Sequence, residues 1–303
     1  MTYEQCLKHI SERDDRLIVM TAENRAAIRN LPAVLGNRFI DVGICEQTMV
    51  GAAAGLALRG RRPVVHALAS FLTLRAFEFI RTDVGIGRLP VTLVGGVPGF
   101  LSEANGPTHQ AIEDISIMRG IPHMQVFCPS DEEELVDALP LIIDSPEPSY
   151  IRYNASTPAV RHHERFEIGK AEILSAGTDV TLLTYGFLLG EAVRAREILE
   201  AQGYSVGLIN LRTLKPVDEQ ALLTAASKTK QIVIVEDHFT TGGLYSIVAE
   251  IFLRTRTQTP VFAIALEERW FKPALLDDLL SHEGFTGKQL AARIIAALGT
   301  NHY

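Results

Sequence analysis

Short apolar runs rich in β-branched residues recur along the first half of the chain at 16–20, 38–42, 63–66, 90–94, 123–127 and 149–152, and stretches with helical spacing separate them. Such alternation predicts parallel sheets covered by helices. The second half repeats the pattern, with strands expected at 179–184, 205–210, 231–236 and 260–265 and helices near 188–202, 218–227, 243–252 and 287–298. Between the halves, from Asn154 to about Gly169, the periodicity gives way to polar sequence with Pro and His, which reads as a linker. The expected organisation is therefore a domain at 1–154, a linker at 155–168 and a domain at 169–303, each a three-layer α/β/α unit. Ser130 followed by acids at 131–134 marks a helix start with Ser130 as its cap, and Pro216 suits the first turn of another helix.

Composition narrows the functional classes. With 303 residues, 47% of them hydrophobic, the chain is long enough for two ordinary cores. A net charge of -7 and no basic cluster with interleaved aromatics give no reason to expect nucleic acid. The apolar stretch at 48–58 is closed by Arg59, short of the roughly 20 residues a bilayer requires. The first residues carry no basic-then-apolar signal, so a cytoplasmic protein without a membrane segment is expected. Cys6, Cys45 and Cys128 lie far apart, without zinc spacing or an even count for disulfides, and Cys45 reads as a small buried neighbour of Glu46. His162-His163-Glu164 suggests a metal ligand set, but adjacent side chains diverge, and a solvated linker accounts for them better, so no metal site is expected. The Thr240-Thr-Gly-Gly243 turn offers either an anion cradle at a helix start or a plain tight turn, the latter preferred. No Gly-x-Gly-x-x-Gly follows the first strand, which disfavours a nicotinamide site.

One acid stands out. Glu46 lies where the extended run 39–44 passes into a Gly/Ala-rich helix, among small and apolar neighbours. Desolvation disfavours the ionised form of an acid so placed, which suits a carboxyl that shares a proton with a heterocyclic nitrogen. A first-turn acid complementing the helix dipole is the plainer alternative. A second block, Glu103-Ala-Asn-Gly-Pro-Thr-His-Gln110, lies downstream.

Together the two blocks resemble the transketolase-type thiamine diphosphate enzymes. Those enzymes carry Gly-x-x-Glu-Gln and Gly-x-Thr-His-Gln in a pyrimidine-binding domain. The likeness extends over the C-terminal half through Leu182-Leu-Thr-Tyr-Gly186, Asn210-Leu-Arg212, Pro216 and Glu236-Asp-His-Phe-Thr-Thr-Gly-Gly243. It implies the pyrimidine-type domain followed by a transketolase C-terminal-like domain. No Gly-Asp-Gly is present, although single-chain members use one to bind magnesium and the diphosphate, so the sequence resembles the second half of a split transketolase.

The resemblance implies roles for particular residues. Glu46 would hydrogen-bond the pyrimidine nitrogen of thiamine diphosphate, Phe71 would stack on that ring, and Ile44 and Arg75 would lie beside the cofactor. His109 would contact the substrate carbonyl or hydroxyl, and an imidazole suits proton exchange with a developing alkoxide. Asn105 stands where many relatives have an aspartate matched to a donor hydroxyl. Arg152 corresponds to an arginine gripping a sugar phosphate, a linker salt bridge being its alternative reading, and Asn24 has a weaker claim to substrate. Implied partners are a diphosphate-binding chain that holds Mg2+ or Ca2+, in an assembly of two copies of each chain, and a sugar phosphate substrate. A 2-oxo acid dehydrogenase β subunit, a deoxyxylulose-phosphate-synthase-like enzyme and a non-catalytic scaffold are the alternatives.

Overall fold

In the computed structural model, which describes residues 1–300, the chain builds two sheets with helices on their faces. The strands are β1 Leu17–Thr21, β2 Phe39–Asp41, β3 Arg62–Leu68, β4 Thr92–Gly96, β5 Gln125–Phe127, β6 Ser149–Arg152, β7 Glu172–Ser175, β8 Val180–Thr184, β9 Val206–Asn210, β10 Thr213–Lys215, β11 Gln231–Phe239 and β12 Val261–Leu266. The first sheet has the order β10-β5-β6-β4-β3-β1-β2 and the second β12-β11-β8-β9-β7. Pairings within each sheet are parallel except at one edge of each, where β10 and β7 run antiparallel to β5 and β9.

Strand alternation explains why both faces must be covered. Ile18 and Met20 enter one apolar cluster while Leu17 and Val19 enter another, and Val65 and Val64 divide in the same way. The first of these clusters runs on into the second sheet through Leu183, Ile232 and Ile234. The two units therefore share a core rather than meeting at a wet surface.

The structure departs from the sequence expectations at several boundaries. Neither short edge strand, β7 or β10, announced itself, because each is stabilised by pairing with a distant segment rather than by its own pattern. β10 carries residues of the second half into the first sheet, and Pro216 follows it across a cis peptide bond instead of opening a helix. The helix Glu219–Lys228 is capped by Asp218, whose side chain accepts from the Ala221 N–H. The next cap upstream is likewise one residue from expectation: Asp131, not Ser130, accepts from the Glu134 N–H at 2.9 Å at the start of the helix Glu132–Asp144. Among the described residues, no helix is long and apolar enough to cross a membrane.

Candidate active site

Strand β2, Phe39–Asp41, is shorter than the extended run 39–44. Asp41 turns the chain by accepting the Gly43 N–H at 2.9 Å, and residues 42–45 separate the strand from the helix Glu46–Leu58. Glu46 occupies the first turn, where the helix dipole favours a carboxylate, and is 1% exposed. Its Oε2 accepts a hydrogen bond from Arg75 Nη1 at 2.8 Å. Arg75 ends a π-helical turn, Phe71–Arg75, that leaves the end of β3. Its guanidinium lies 4.1 Å from the centre of the Phe71 ring, within the range of a cation–π contact. The same ring is 4.9 Å from the His109 imidazole at an interplanar angle of 58°. His109 in turn exchanges a hydrogen bond with Thr108 through Nδ1 and Oγ1 at 2.8 Å. Glu46, Arg75, Phe71 and His109 are thus linked by direct contacts at the carboxyl ends of β2, β3 and β4, the edge at which open α/β sheets bind ligands.

Ile44 is 66% exposed beside Glu46. Cys45 is exposed, not buried as its small size suggested, since the first helical turn presents it outward. Asn105 is exposed and donates to the Ser102 carbonyl at 3.0 Å. Asn24 is half-buried at the end of β1, so close to Gly96 that a Cβ there would come within 2.9 Å of its Nδ2. None of the described bonds joins Asn24 to Glu46, Phe71 or His109.

Arg152 requires a correction. It is 4% exposed and its guanidinium is spent on Asp114 at 2.9 Å and Asp237 at 2.8 Å, so it is sealed between the two units and does not grip a sugar phosphate. A buried cation persists only with such partners. The salt-bridge alternative was right in kind, although the bridge ties one domain to the other rather than the linker to itself.

The linker histidine also differs from expectation. His162 is held by Asp131 at 2.7 Å and Glu172 at 2.8 Å, with Glu134 close by, instead of being solvated. Burial alone would lower its pKa, but the hydrogen bonds to Asp131 and Glu172 and the surrounding carboxylates push it up to about 10. For Glu172, burial would raise the pKa, and the His162 bond with the Arg212 charge brings it down to about 2. Ligand atoms of Glu134, His162 and Glu172 lie within 4.8 Å of one another, a spacing a metal ion could use, but Arg212 already pairs with Glu134 at 2.7 Å and with Glu172 at 3.1 Å. The cluster is an ion-pair network in which Arg212 and His162 meet Asp131, Glu134 and Glu172.

The Thr240–Gly243 turn does not cradle an outside anion. The protein supplies its own: Glu236 accepts from the N–H groups of Leu244 and Tyr245 at 2.7 and 2.9 Å, at the start of the helix Leu244–Thr255. Burial drives the Glu236 pKa up to about 7 against those bonds. Glu236-Asp-His238 ends an apolar strand with three polar residues, and that contrast was the available signal for the interdomain residues that sequence reasoning left without a role.

Arg75 also tests whether the site suits the coenzyme that the resemblance implies. A flat cation donates an N–H to Glu46 at its edge and lies against Phe71 on its face. The two residues therefore present a carboxyl at the edge and an aromatic ring at the face of a planar group, the two contacts that the ring nitrogen and the ring face of an aminopyrimidine can use.

Residues 1–158 match the family model described as transketolase, pyrimidine binding domain, and residues 169–290 match that described as transketolase, C-terminal domain. This chain belongs to the transketolase family. Among similar proteins, the 6-deoxy-6-sulfo-D-fructose transketolase subunit SqwH of Clostridium sp. (strain MSTE9) is 37% identical over 294 residues, covering 95% of this chain and 91% of that protein. The 1-deoxy-D-xylulose-5-phosphate synthase of Dictyoglomus thermophilum is 38% identical over 265 residues, 86% of this chain, but the match spans only 43% of the synthase. A solved structure described as a split gene transketolase, inactive beta4 tetramer, superposes with a TM-score of 0.89 at 30% identity and covers 98% of this chain and 97% of that one. Within the transketolase family, then, this chain matches subunit-length relatives end to end and larger enzymes over less than half their length.

Proposed function

We propose that this chain is the pyrimidine-binding and C-terminal subunit of a two-chain transketolase that transfers a two-carbon ketol unit between sugar or sugar phosphate substrates. The observation that carries the reading is the buried Glu46 carboxylate, bonded to a flat cation that lies over Phe71, within ring contact of His109. Glu46 and Phe71 would hold the aminopyrimidine of thiamine diphosphate by edge and face, with Ile44 and Arg75 beside it. Thiamine diphosphate, when bound, supplies the carbon nucleophile of the reaction. Glu46, itself buried, would keep a proton shared with the pyrimidine nitrogen. His109 would donate to, or take a proton from, the substrate oxygen, and Asn105 on the same loop would face the donor sugar as a neutral hydrogen-bonding group.

The partner chain would contribute the diphosphate site and its Mg2+ or Ca2+, in a complex of two copies of each chain. Supporting this, the apolar side chains of Ile44 and Leu74, close to Glu46 and Arg75 in the chain, are exposed. The reading keeps the division into 1–154, 155–168 and 169–303, and a cytoplasmic location, where free thiols such as Cys6, Cys45 and Cys128 stay reduced.

A second reading, synthase-type chemistry that starts from pyruvate, is favoured by the 38% identity to a deoxyxylulose-phosphate synthase. One experiment separates the two. The purified chain is assayed alone and after mixing with a Gly-Asp-Gly-bearing, diphosphate-binding chain from the same genome, with thiamine diphosphate and Mg2+, for ketol transfer from a ketose and for carbon dioxide release from pyruvate. Ketol transfer only in the mixture, falling about 10²- to 10⁴-fold with Glu46→Gln, is expected. Turnover by the chain alone overturns the split assignment, and carbon dioxide release in place of ketol transfer selects the second reading.

A further inference from the structure

The segment that carries Asn105 and His109 runs from the end of β4 to the helix Asp114–Arg119, and several of the contacts that shape it come from the other domain. Its neck is closed by the Gly99 N–H donating to the Ala111 carbonyl at 2.9 Å. Asp237, on β11 of the C-terminal domain, accepts the Phe100 N–H at 3.3 Å, and its other oxygen accepts from Arg152 Nη1 at 2.8 Å. Arg152 in turn reaches the Ala111 carbonyl at 3.4 Å, so one ion pair grips both strands of the neck. The chain passes so near this pair that a Cβ on Gly99, where φ is +56°, would lie 1.8 Å from Asp237 Oδ2.

The Phe100 side chain is buried in the apolar core of the C-terminal domain, with ring centres 5.3 Å from Phe271 and 6.0 Å from Phe285. Farther along, Gly106 at φ +70° packs against Pro273, three residues before His109. Two residues of this segment that are not glycine, Val97 and Glu103, are held at φ of +45° and +48°. Backbone so strained persists only where its surroundings over-determine it.

We propose that the C-terminal domain is the template that sets the position of His109, with Asp237, Arg152 and the Phe271 pocket around Phe100 acting as positioning residues. The proposal rests on the reading of His109 as a substrate-contacting group. A hydrogen-bonding side chain contributes to catalysis only when placed within about 0.5 Å of its productive position, and loops reach that precision only when anchored on a rigid support. The domain thereby has a task in the reaction although it contributes no group to the contacts among Glu46, Arg75, Phe71 and His109.

The test compares the full-length wild-type chain with Asp237→Asn and Phe271→Leu by amide hydrogen exchange, resolved by peptide, and follows kcat and thiamine diphosphate affinity in the reconstituted complex. Exchange across residues 97–111 should rise by about tenfold or more in both variants while β1, β3 and β8 keep wild-type protection. In the complex, kcat should fall about 10- to 100-fold with coenzyme affinity unchanged within about twofold, because Glu46 and Phe71 are untouched. Wild-type exchange at 97–111 in both variants overturns the proposal, and so does exchange that rises uniformly over both domains, which would make these residues general domain glue. If Asp237→Asn fails to fold, the same criteria apply to Phe271→Leu. Should wild-type complexes show no ketol transfer, the transketolase reading fails, whereas the exchange result alone still decides whether the C-terminal domain shapes the loop.

Discussion

Three acids in this molecule, Glu46, Glu134 and Glu172, are buried to nearly the same degree and each meets an arginine, yet their surroundings differ in one respect. Arg75 remains 38% exposed while it bonds Glu46, whereas Arg212 is 2% exposed between Glu134 and Glu172. A guanidinium open to water can leave its carboxylate at modest cost, because water compensates it once it has gone. One enclosed on all sides cannot, since departure strands several buried charges. The chemistry of the pair is therefore the same in both places, and accessibility separates a site that can exchange its partner from a brace that cannot.

The largest effect is expected at the brace. Arg212→Ala should lower unfolding stability by about 3–5 kcal/mol, the cost of leaving buried carboxylates unpaired. Urea denaturation measures this, and a loss below about 1 kcal/mol would mean the network is not closed.

The next effect concerns pH. His162 is held well above its ordinary value, so its contribution to stability is fully present below about pH 6.5 and is lost as pH rises through about 10. Glu172 has the opposite sign: its contribution is present above about pH 4.5 and is lost as pH falls through about 2. Melting temperatures across pH 6–11 should decline more steeply for wild type than for His162→Gln, and parallel curves would refute this role of the imidazolium.

A smaller change is expected at the open pair. Arg75→Ala should cost about 1–2 kcal/mol through the unpaired Glu46, and thiamine diphosphate with the partner chain should recover part of that loss by occupying the same carboxylate. A loss as large as that of Arg212→Ala would erase the distinction between the two regions.

The mildest probe is chemical. Cys45 should react rapidly with a thiol reagent in the free chain while Cys6 and Cys128 stay protected, and the reaction should slow when the partner chain covers the face around Glu46. Equal rates with and without the partner would place the interface elsewhere.

Much of this was legible in the linear sequence. The largely apolar, β-branched runs of 90–94 and 179–184 required two covering layers, and the structure supplies them. Glu46 stood out because a lone acid among Gly, Ala and aliphatic residues is locally conspicuous, and the Thr-His-Gln loop because Gly and Pro mark its start. Arg152 was misread for a physical reason: nothing in Tyr-Ile-Arg-Tyr distinguishes a guanidinium facing a cleft from one facing Asp237, which lies 85 residues away. His162 looked solvated for the same reason, since Asp131 and Glu172 come from opposite sides of it in the chain. The helix caps at 131 and 218 missed by only a residue or a few, because a cap depends on where the backbone turns and not only on which side chain is able to cap.

By itself, then, the sequence determined the layered α/β architecture, the burial of Glu46 at the head of its helix and the transketolase kinship, because each follows from neighbours within a few residues and from composition. Tertiary structure alone decided that Arg75 lies over Phe71 in contact with Glu46, that Arg152 is a brace, and that the His109 loop is shaped by the C-terminal domain. Those outcomes depend on which distant segments meet, and partner choice over such separations follows from how the two sheets share one core, which no local pattern encodes.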